Sequence, residues 1–174
     1  TTSLTEALLR NRGEHEIVLV LSDLFPDTIE PIRAAFYDLL PQENIRVWDA
    51  PGPVDYLRAP PWRRHIAEQI REHFLANLKA DVVLVGSLFE GLIDDAVTSI
   101  GPLSDEIPKA VILYDLIPYI HRKPYLANPF FEAWYLEKIE HLRRADRILS
   151  ISESSRQESM QYLTVDERSV VNIS

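Results

Sequence analysis

Cysteine is absent from this 174-residue sequence, and glycine is scarce, at five residues. The missing thiols exclude disulfides, thiolate nucleophiles and cysteine metal ligands. None of the glycines belongs to a Gly-x-Gly-x-x-Gly or Walker-type loop, so the sequence offers no glycine cradle for a nucleotide. The Gly-x-Ser-x-Gly turn that carries the nucleophile of an α/β serine hydrolase is missing as well.

Long apolar runs and an excess of positive charge are also missing. No run approaches the roughly 20 residues that span a bilayer, and no signal peptide is recognisable. The net charge of −9 argues against a surface built to hold nucleic-acid phosphates, so we expect no nucleic-acid partner. A local arginine group or a helix N-terminus could still bind an anion. We expect a cytoplasmic location, with which the lack of cysteine is compatible.

Metal-ligand spacing is absent too. None of the five histidines has a second histidine four positions along a helix, as a zinc protease requires, and we expect no protein-held metal. Glu132 and Glu140 lie eight positions apart within an amphipathic helix, and we interpret them as part of its solvated face.

What the sequence does contain is a regular alternation of apolar runs and amphipathic stretches. Runs such as Ile17–Leu21 are too continuous for half-solvated strands and are typical of parallel strands covered on both faces. The alternation predicts an α/β fold, a Rossmann-like doubly wound and mostly parallel sheet with helices on both faces, in one domain over residues 1–174. The predicted strands are 17–21, 45–48, 82–85, 109–114, 147–151 and 169–173; the predicted helices begin near residues 3, 27, 62, 94, 128 and 154.

Helix-start signals accompany several of these segments. Asp27 and Glu30 are predicted to cap a helix that runs to about Leu40, and Asn128 with Pro129 forms a good N-terminal pair. The spacing of Ser154 and Gln157 fits a capping box. Because the chain opens within a helix signal and closes on a strand pattern, we interpret it as a piece of a larger protein.

Polar residues follow two of the predicted strands. Tyr114 ends the strand at 109–114 and Asp115 follows it, and Ser152 and Glu153 follow the strand at 147–151. In an open parallel sheet, ligands bind beyond the carboxyl ends of the strands, so the Asp115 carboxylate could accept hydrogen bonds from ligand hydroxyls. An Asx bond that caps the following turn is an equally good reading of Asp115. One of the serine hydroxyls is expected to serve the next helix.

Two further segments carry candidate binding residues. Glu90 follows the strand at 82–85 beside a glycine, where it could also simply mark a turn. His121 and Tyr125 lie in a basic loop after Asp115, and loops above a rigid sheet often hold the binding groups. A solvated basic loop explains the same residues.

The segments 88–91, 94–97, 114–118 and 144–156 together resemble the N-terminal half of retaining GT-B glycosyltransferases of family 4, and in particular their mannosyltransferase-like bacterial members. The resemblance implies an acceptor-side domain that faces a C-terminal, donor-binding domain across a cleft. It implies transfer of a hexose from a nucleotide-diphosphate sugar to a glycan or lipid-linked acceptor, with retention of the anomeric configuration and without a metal. It also implies peripheral attachment to the inner membrane through such an acceptor. The candidate substrate-binding residues are Glu90, Tyr114, Asp115, His121, Tyr125, Ser152, Glu153 and Arg156; no catalytic residue is assigned.

The sequence departs from that family in three respects. Tyr114 stands where the family commonly has histidine, the donor-binding half is absent, and so is the first strand with its glycine-rich loop. That strand is central in the usual order 3-2-1-4-5-6, so we expect another chain, as in a homo-oligomer, or another segment to fill the gap. The residues alone leave an alternative open, a non-enzymatic flavodoxin-like or periplasmic-binding-like module. As an isolated piece, the chain is expected to be inactive.

Overall fold

The computed structural model describes residues 2–101 and 107–174 of the chain. Helices and strands alternate through much of these residues, as the apolar runs predict, although the third and fourth strands have no described helix between them. The helices are Thr2–Arg10 (α1), Pro26–Ala35 (α2), Pro61–Asn77 (α3), Ile117–Ile120 (α4), Arg122–Tyr125 (α5), Pro129–Arg143 (α6) and Glu153–Tyr162 (α7). The strands are Leu19–Ser22 (β1), Ile45–Trp48 (β2), Val83–Val85 (β3), Lys109–Leu113 (β4), Arg147–Ser150 (β5) and Val170–Asn172 (β6).

The larger sheet has the order β3-β4-β5-β6 and is entirely parallel. All five residues of β4 are buried, as expected for an inner strand covered on both faces. In the register, Val111 of β4 lies opposite Val85 on one side and Ile148 on the other. The predicted α/β class and the parallel pairing are confirmed.

The remaining two strands form a separate parallel sheet, in which Leu19 of β1 lies opposite Ile45 of β2. Among the described residues no strand joins β1 to β3, which agrees with the expectation of a doubly wound sheet that lacks its central first strand. The break falls where the doubly wound order places the absent first strand. Every residue of β1 is only half-buried.

Helix α3 connects the two sheets. Ala67, Ile70 and Phe74 of this helix pack in one apolar cluster with Trp48 of β2 and Val20 of β1. The main core lies around β4 and β5 and takes its largest helical contribution from α6, through Trp134, Tyr135, Ile139 and Leu142. A polar contact between Arg64 of α3 and Glu137 of α6 then ties the smaller sheet to the larger one.

Helix starts agree with the sequence signals only in part. The Asn128 side chain caps α6 by accepting from the amides of Phe130 and Phe131, as predicted. Helix α2 begins after Phe25 without a side-chain cap and ends at Ala35, so the caps assigned to Asp27 and Glu30 and the extension to Leu40 are wrong. Asp27 lies within the first turn instead.

The helix predicted near residues 94–100 does not form. This segment is irregular because its polar groups bond to other parts of the chain instead of to a helix. Oδ1 of Asp95 accepts from the amides of Val54 (2.6 Å) and Asp55 (3.1 Å), and Oγ1 of Thr98 donates to the Leu88 carbonyl. The Gly91 carbonyl accepts from the Tyr56 amide. The loop thereby attaches the segment around residue 55 to the carboxyl end of β3.

Candidate functional site

The ends of β4 and β5 bring two of the predicted segments together. The Ile151 amide donates to the Leu113 carbonyl (3.2 Å), which continues the strand pairing past Ser150. The carbonyl of Tyr114, the residue after Leu113, accepts a hydrogen bond from Oγ of Ser155 at 2.7 Å. The start of α7 is thus bonded directly to the backbone that precedes Asp115, and both lie at the carboxyl edge of the larger sheet.

Asp115 is exposed at this edge. Its Oδ1 accepts from the Ile117 amide at 3.0 Å, which is the Asx bond that the sequence left as an alternative. None of the described residues donates to its second oxygen, so capping and ligand binding are compatible. Burial raises the pKa of the Tyr135 phenol, and the negative charge of Asp115 raises it further. Asp115 therefore lies close enough to α6 to act on Tyr135 electrostatically.

Ser152, Glu153 and Arg156 are already engaged within the chain. Ser152, not Ser154, is the N-cap of α7, because its Oγ accepts from the Ser155 amide at 3.1 Å. The Arg156 side chain bonds Glu153 (3.1 Å) and Glu167 (3.0 Å). The hydrogen bond from Arg156 lowers the pKa of Glu153, which stays exposed at the sheet edge.

Glu90 lies at the corresponding end of β3 and is exposed. Its Oε1 accepts from Ser87 Oγ at 2.7 Å within the turn. The next residue, Gly91, has a φ of +87°, which L side chains rarely adopt. The backbone that presents Glu90 is therefore fixed by a glycine-dependent turn. Beside it, the Phe89 and Tyr135 rings are in contact, with centroids 4.8 Å apart.

His121 lies between the two short helices that follow Asp115, Tyr125 ends the second of them, and both residues are exposed. Residues 120–125 line an open surface depression. Arg122 and Lys123 give this surface a positive charge that contrasts with the acidic chain, and the Arg122 guanidinium lies over the Tyr119 ring. The predicted residues therefore fall into an edge group, formed by Glu90, Tyr114, Asp115, Ser152, Glu153 and Arg156, and a neighbouring basic group with His121 and Tyr125.

The whole chain matches a curated glycosyltransferase. It is 34% identical over 178 residues to the serotype-specific mannosyltransferase WbdA of Escherichia coli. The chain is a homologue of this mannosyltransferase. A second WbdA sequence is 34% identical and a third 33% identical, each over 98% of this chain. The resemblance to mannosyltransferases that the sequence motifs predict is confirmed. No protein-family profile matches the chain.

The homology covers a small part of the relatives. The chain spans about 21% of the length of each WbdA protein. The aligned region includes all the predicted site residues, because the first of these matches extends over the entire chain.

A buried polar network between α3 and α6 links the smaller sheet of this WbdA-related chain to the larger one. The sequence patterns did not predict this network. Arg64 contacts Glu68 (3.8 Å) and Glu137 (3.1 Å), and Arg71 contacts Glu72 (3.4 Å). Nζ of Lys138 donates to the carbonyl and hydroxyl of Thr98. The sequence signal was present as charged residues at core-facing helical positions, although only their contacts show that they meet.

Three groups in this network have the spacing of metal ligands. Oxygens of Glu68 and Glu137 and a ring nitrogen of His141 lie within 4.8 Å of one another. Arg64, however, already contacts both carboxylates, and Lys138 lies nearby. These cations balance the carboxylate charges, so the donor set suits a salt-bridge network better than a divalent ion.

Burial lowers the pKa of His141, although contact with the Ile100 backbone works in the opposite direction. In the neutral ring, Nδ1 accepts from the Ile100 amide at 3.1 Å. The unfolded chain then binds a proton near pH 6.5 that the folded chain does not bind. We expect neutral His141 to stabilise the fold above about pH 6.5. This contribution should be lost as the pH falls. Urea unfolding at a series of pH values measures the loss as a falling free energy of unfolding.

The control is His141→Asn, which retains an acceptor near the position of Nδ1 but does not titrate. The difference between the two unfolding curves should widen steadily from pH 5 to pH 7, with the wild type gaining stability relative to the variant. A difference that stays constant over this range would show that His141 has the same pKa in both states.

Proposed function

We propose that the chain is the acceptor-side, N-terminal domain of a retaining GT-B glycosyltransferase of family 4. The complete protein would move mannose from a nucleotide-diphosphate sugar to a glycan or lipid-linked acceptor. The observation that carries the proposal is the identity of 34% to a protein named mannosyltransferase over the whole chain. Because the relatives are about five times as long, a donor-binding domain outside these residues is the expected partner.

The carboxyl edge of the larger sheet supplies groups suited to a sugar acceptor. Asp115, Glu90 and Glu153 present exposed carboxylates, which accept hydrogen bonds from hydroxyls. Loss of the diphosphate from the donor leaves positive charge on the anomeric carbon. A domain on the acceptor side therefore contributes mainly by orienting the attacking hydroxyl and excluding water. Tyr114 lines the same edge, and its carbonyl is held by Ser155.

The basic group on α5 fits an acceptor that carries phosphate, such as a lipid-linked glycan. Arg122, Lys123 and His121 are exposed on this surface, next to the Tyr125 ring. No helix within the described residues is long and apolar enough to cross a bilayer. We propose that the enzyme works in the cytoplasm, with peripheral contact to the inner membrane made through its acceptor, and that it needs no metal.

The proposal is tested by calorimetric titration of the full-length protein and of residues 1–174 with a panel of nucleotide-diphosphate sugars. Binding by the full-length protein alone, together with transfer to an acceptor, supports the proposal. Tight binding by residues 1–174 would instead favour a ligand-binding module that is complete in this chain. Absence of binding and turnover in the full-length protein would reject a glycosyltransferase.

Substitution of Asp115 tests the edge directly. In the full-length protein, Asp115→Ala should lower kcat/KM for the acceptor by about 10- to 100-fold, because a charge-assisted hydrogen bond contributes about 1.5–3 kcal/mol. Asp115→Asn retains the capping oxygen and should show most of the same loss, since it removes only the charge. Initial rates at varied acceptor concentration measure both effects.

Asp166 provides a matched control. Its Oδ1 accepts from the Arg168 amide at 2.8 Å, the same kind of capping bond, but it precedes β6 and lies at the opposite end of the strands. Asp166→Ala should leave kcat/KM within about twofold of the wild type, the ordinary scatter for a distant surface change. Equal losses for the two alanine variants would remove Asp115 from the acceptor site.

A further inference from the structure

One face of helix α6 holds the irregular segment 88–100 at successive points. The Tyr135 ring packs on Phe89, with ring centroids 4.8 Å apart. One turn later, Nζ of Lys138 donates to Oγ1 (2.8 Å) and to the carbonyl (3.1 Å) of Thr98. Residues three positions apart lie on the same side of a helix. An aromatic ring and an ammonium group therefore act together on this segment.

The hydrogen bonds from Lys138 continue to the end of strand β3. Oγ1 of Thr98 donates to the Leu88 carbonyl at 2.6 Å. A hydroxyl has one hydrogen to donate and an ammonium group can only donate, so Oγ1 accepts from Lys138. The direction of the chain is thus fixed, from Lys138 through Thr98 to Leu88, and bonds in such a chain strengthen one another. Glu90 lies two residues beyond Leu88.

Lys138 is buried among apolar residues. It is 5% exposed, and its neighbour Ile139 belongs to the main core. A charge in such a place is costly unless it is paired and hydrogen-bonded. The Glu68 and Glu137 carboxylates supply compensating charge, but the hydrogen bonds from Nζ go to Thr98. The buried ammonium group is therefore directed at the segment that follows β3.

We propose that Lys138 is a positioning residue for the edge group, because its ammonium fixes the turn that presents Glu90 through Thr98 and Leu88. The inference rests on the proposed function in that Glu90 is taken to contact the acceptor. With 5% of its surface exposed, Lys138 acts through these residues and not on the substrate itself.

The charge of Lys138 makes this role dependent on pH. Burial lowers the pKa of Lys138 to about 8. The charged and titratable groups that act on it come from α3 and from α6 itself: Arg64, Glu68, Arg71, Glu137 and His141. Carboxylates and guanidinium groups keep their charge between pH 7 and pH 9, and His141 is neutral there because burial lowers its pKa as well. Loss of the Lys138 proton over this range removes the charge and one donor, which weakens the hold on Thr98.

Steady-state kinetics of the full-length protein test the positioning role. Lys138→Met retains the length of the side chain and should raise KM for the acceptor by about 10-fold, the scale of a lost charge-assisted hydrogen bond. The value of kcat should change by less than about threefold and KM for the donor by less than about twofold, since the loss concerns acceptor binding. Equal losses in the acceptor and donor constants would overturn the proposal.

The pH profile provides a readout that a general loss of packing would not change. The ratio of kcat/KM for the acceptor, wild type over Lys138→Met, should be about 10 at pH 7, the same scale as above. It should fall toward 1 by pH 9 with an apparent pKa of about 8, as the wild type loses the proton that the variant never has. A ratio that stays constant over this range would overturn the proposal.

Lys109→Met is the matched control. Lys109 is also buried, at 6% exposure, and its Nζ donates to the Gly101 carbonyl just beyond the same segment at 3.3 Å. Because Lys109 begins β4, it lies at the opposite end of the strands from Glu90. Its substitution should leave KM for the acceptor within about twofold of the wild type. A rise equal to that of Lys138→Met would overturn the proposal.

Thr98→Val breaks the same chain of hydrogen bonds while the ammonium group stays, so it tests the chain even if Lys138→Met does not fold. It should raise KM for the acceptor by about fivefold, the scale of a neutral hydrogen bond. The double variant should be no worse than Lys138→Met alone, because both changes interrupt one chain. Additive losses would show that the two residues act separately, and would overturn the proposal.

Hydrogen exchange separates this inference from the proposed function. The Tyr56 amide donates to the Gly91 carbonyl, beside Glu90, at 3.0 Å. In full-length Lys138→Met at pH 7 this amide should exchange about 10-fold faster than in the wild type, while the Ile112 amide in β4 is unchanged. That result in a protein without glycosyl transfer would reject the proposed function and still support the hold of Lys138 on the turn. Unchanged exchange of Tyr56 would overturn the inference whether or not the protein transfers sugar.

Discussion

Gly91→Ala should destabilise the folded chain by about 3 kcal/mol, the combined scale of overpacking and of a strained backbone. An alanine Cβ at this position would lie 2.2 Å from the carbonyl oxygen of Ala96, which is backbone and cannot rotate away. The φ of +87° adds strain for any L residue. The two effects act on the turn that presents Glu90, so both stability and the position of that carboxylate should change.

Hydrogen bonds made by the loop beyond Gly91 should add to this destabilisation. Asp95 in the loop accepts from the amides of Val54 and Asp55, and the Gly91 carbonyl accepts from Tyr56. A displaced Ala96 would therefore strain three hydrogen bonds that hold the 54–56 segment. Urea unfolding measures the change in free energy.

Gly13→Ala is the matched control for Gly91→Ala. Gly13 also has a positive φ, +57°, but nothing lies within 4 Å of an added Cβ. Its substitution should cost about 1 kcal/mol, the backbone term alone. Equal costs at the two positions would mean that the contact with Ala96 relaxes at no expense and that the turn is not rigid.

Much of the fold was predictable because it depends on local patterns. The run at 110–113 is apolar throughout, and β4 is accordingly buried on both faces as an inner strand of its sheet. Asn128 followed by Pro129 is a strong local start signal, and α6 begins there with the predicted cap. Where neighbouring residues suffice to satisfy the backbone, the sequence and the structure agree.

The errors occur where distant groups compete with local ones. The segment 94–100 has polar residues suited to a helix start, but Asp95 and Thr98 bond instead to residue 54 and to Leu88. Ser154 has capping-box spacing, yet Ser152 caps α7, since the strand before it ends two residues earlier. The division into two sheets, by contrast, agrees with the expectation that the central first strand is missing.

The candidate site was likewise predictable only where local patterns determine it. Tyr114 and Asp115 lie near Ser152, as expected for residues at the carboxyl ends of neighbouring parallel strands, because parallel pairing fixes where those strands end. It could not show that Arg156 bridges Glu153 and Glu167, which depends on the return of the chain through the turn before β6. The network around Glu68 and Lys138 was invisible for a similar reason, since its members come from two helices about 70 residues apart.

Glu72→Gln should destabilise the protein by about 3 kcal/mol, the lower end of the range for breaking a buried ion pair. The Glu72 and Arg71 side chains are 3% and 12% exposed, and Oε1 of Glu72 also accepts from Ser99 Oγ at 3.0 Å. Glutamine can retain the bond from Ser99, so the loss reports the charge. Burial already lowers the pKa of Arg71, and the Glu72 carboxylate opposes that effect. Without the carboxylate, a guanidinium that cannot give up its proton near neutral pH stays buried with less compensation.

Two further variants separate the charge effect from a general loss of packing. Glu6→Gln breaks the Glu6–Arg10 pair, whose side chains are 46% and 60% exposed, and should cost less than about 0.5 kcal/mol. Arg71→Met combined with Glu72→Gln should recover about half or more of the lost stability, because removing both charges ends the desolvation penalty. Urea unfolding of the four proteins at pH 7.5 measures these differences. A double variant less stable than Glu72→Gln alone would show that Arg71 stabilises the fold through its bond to the Ser99 carbonyl rather than through its charge partner.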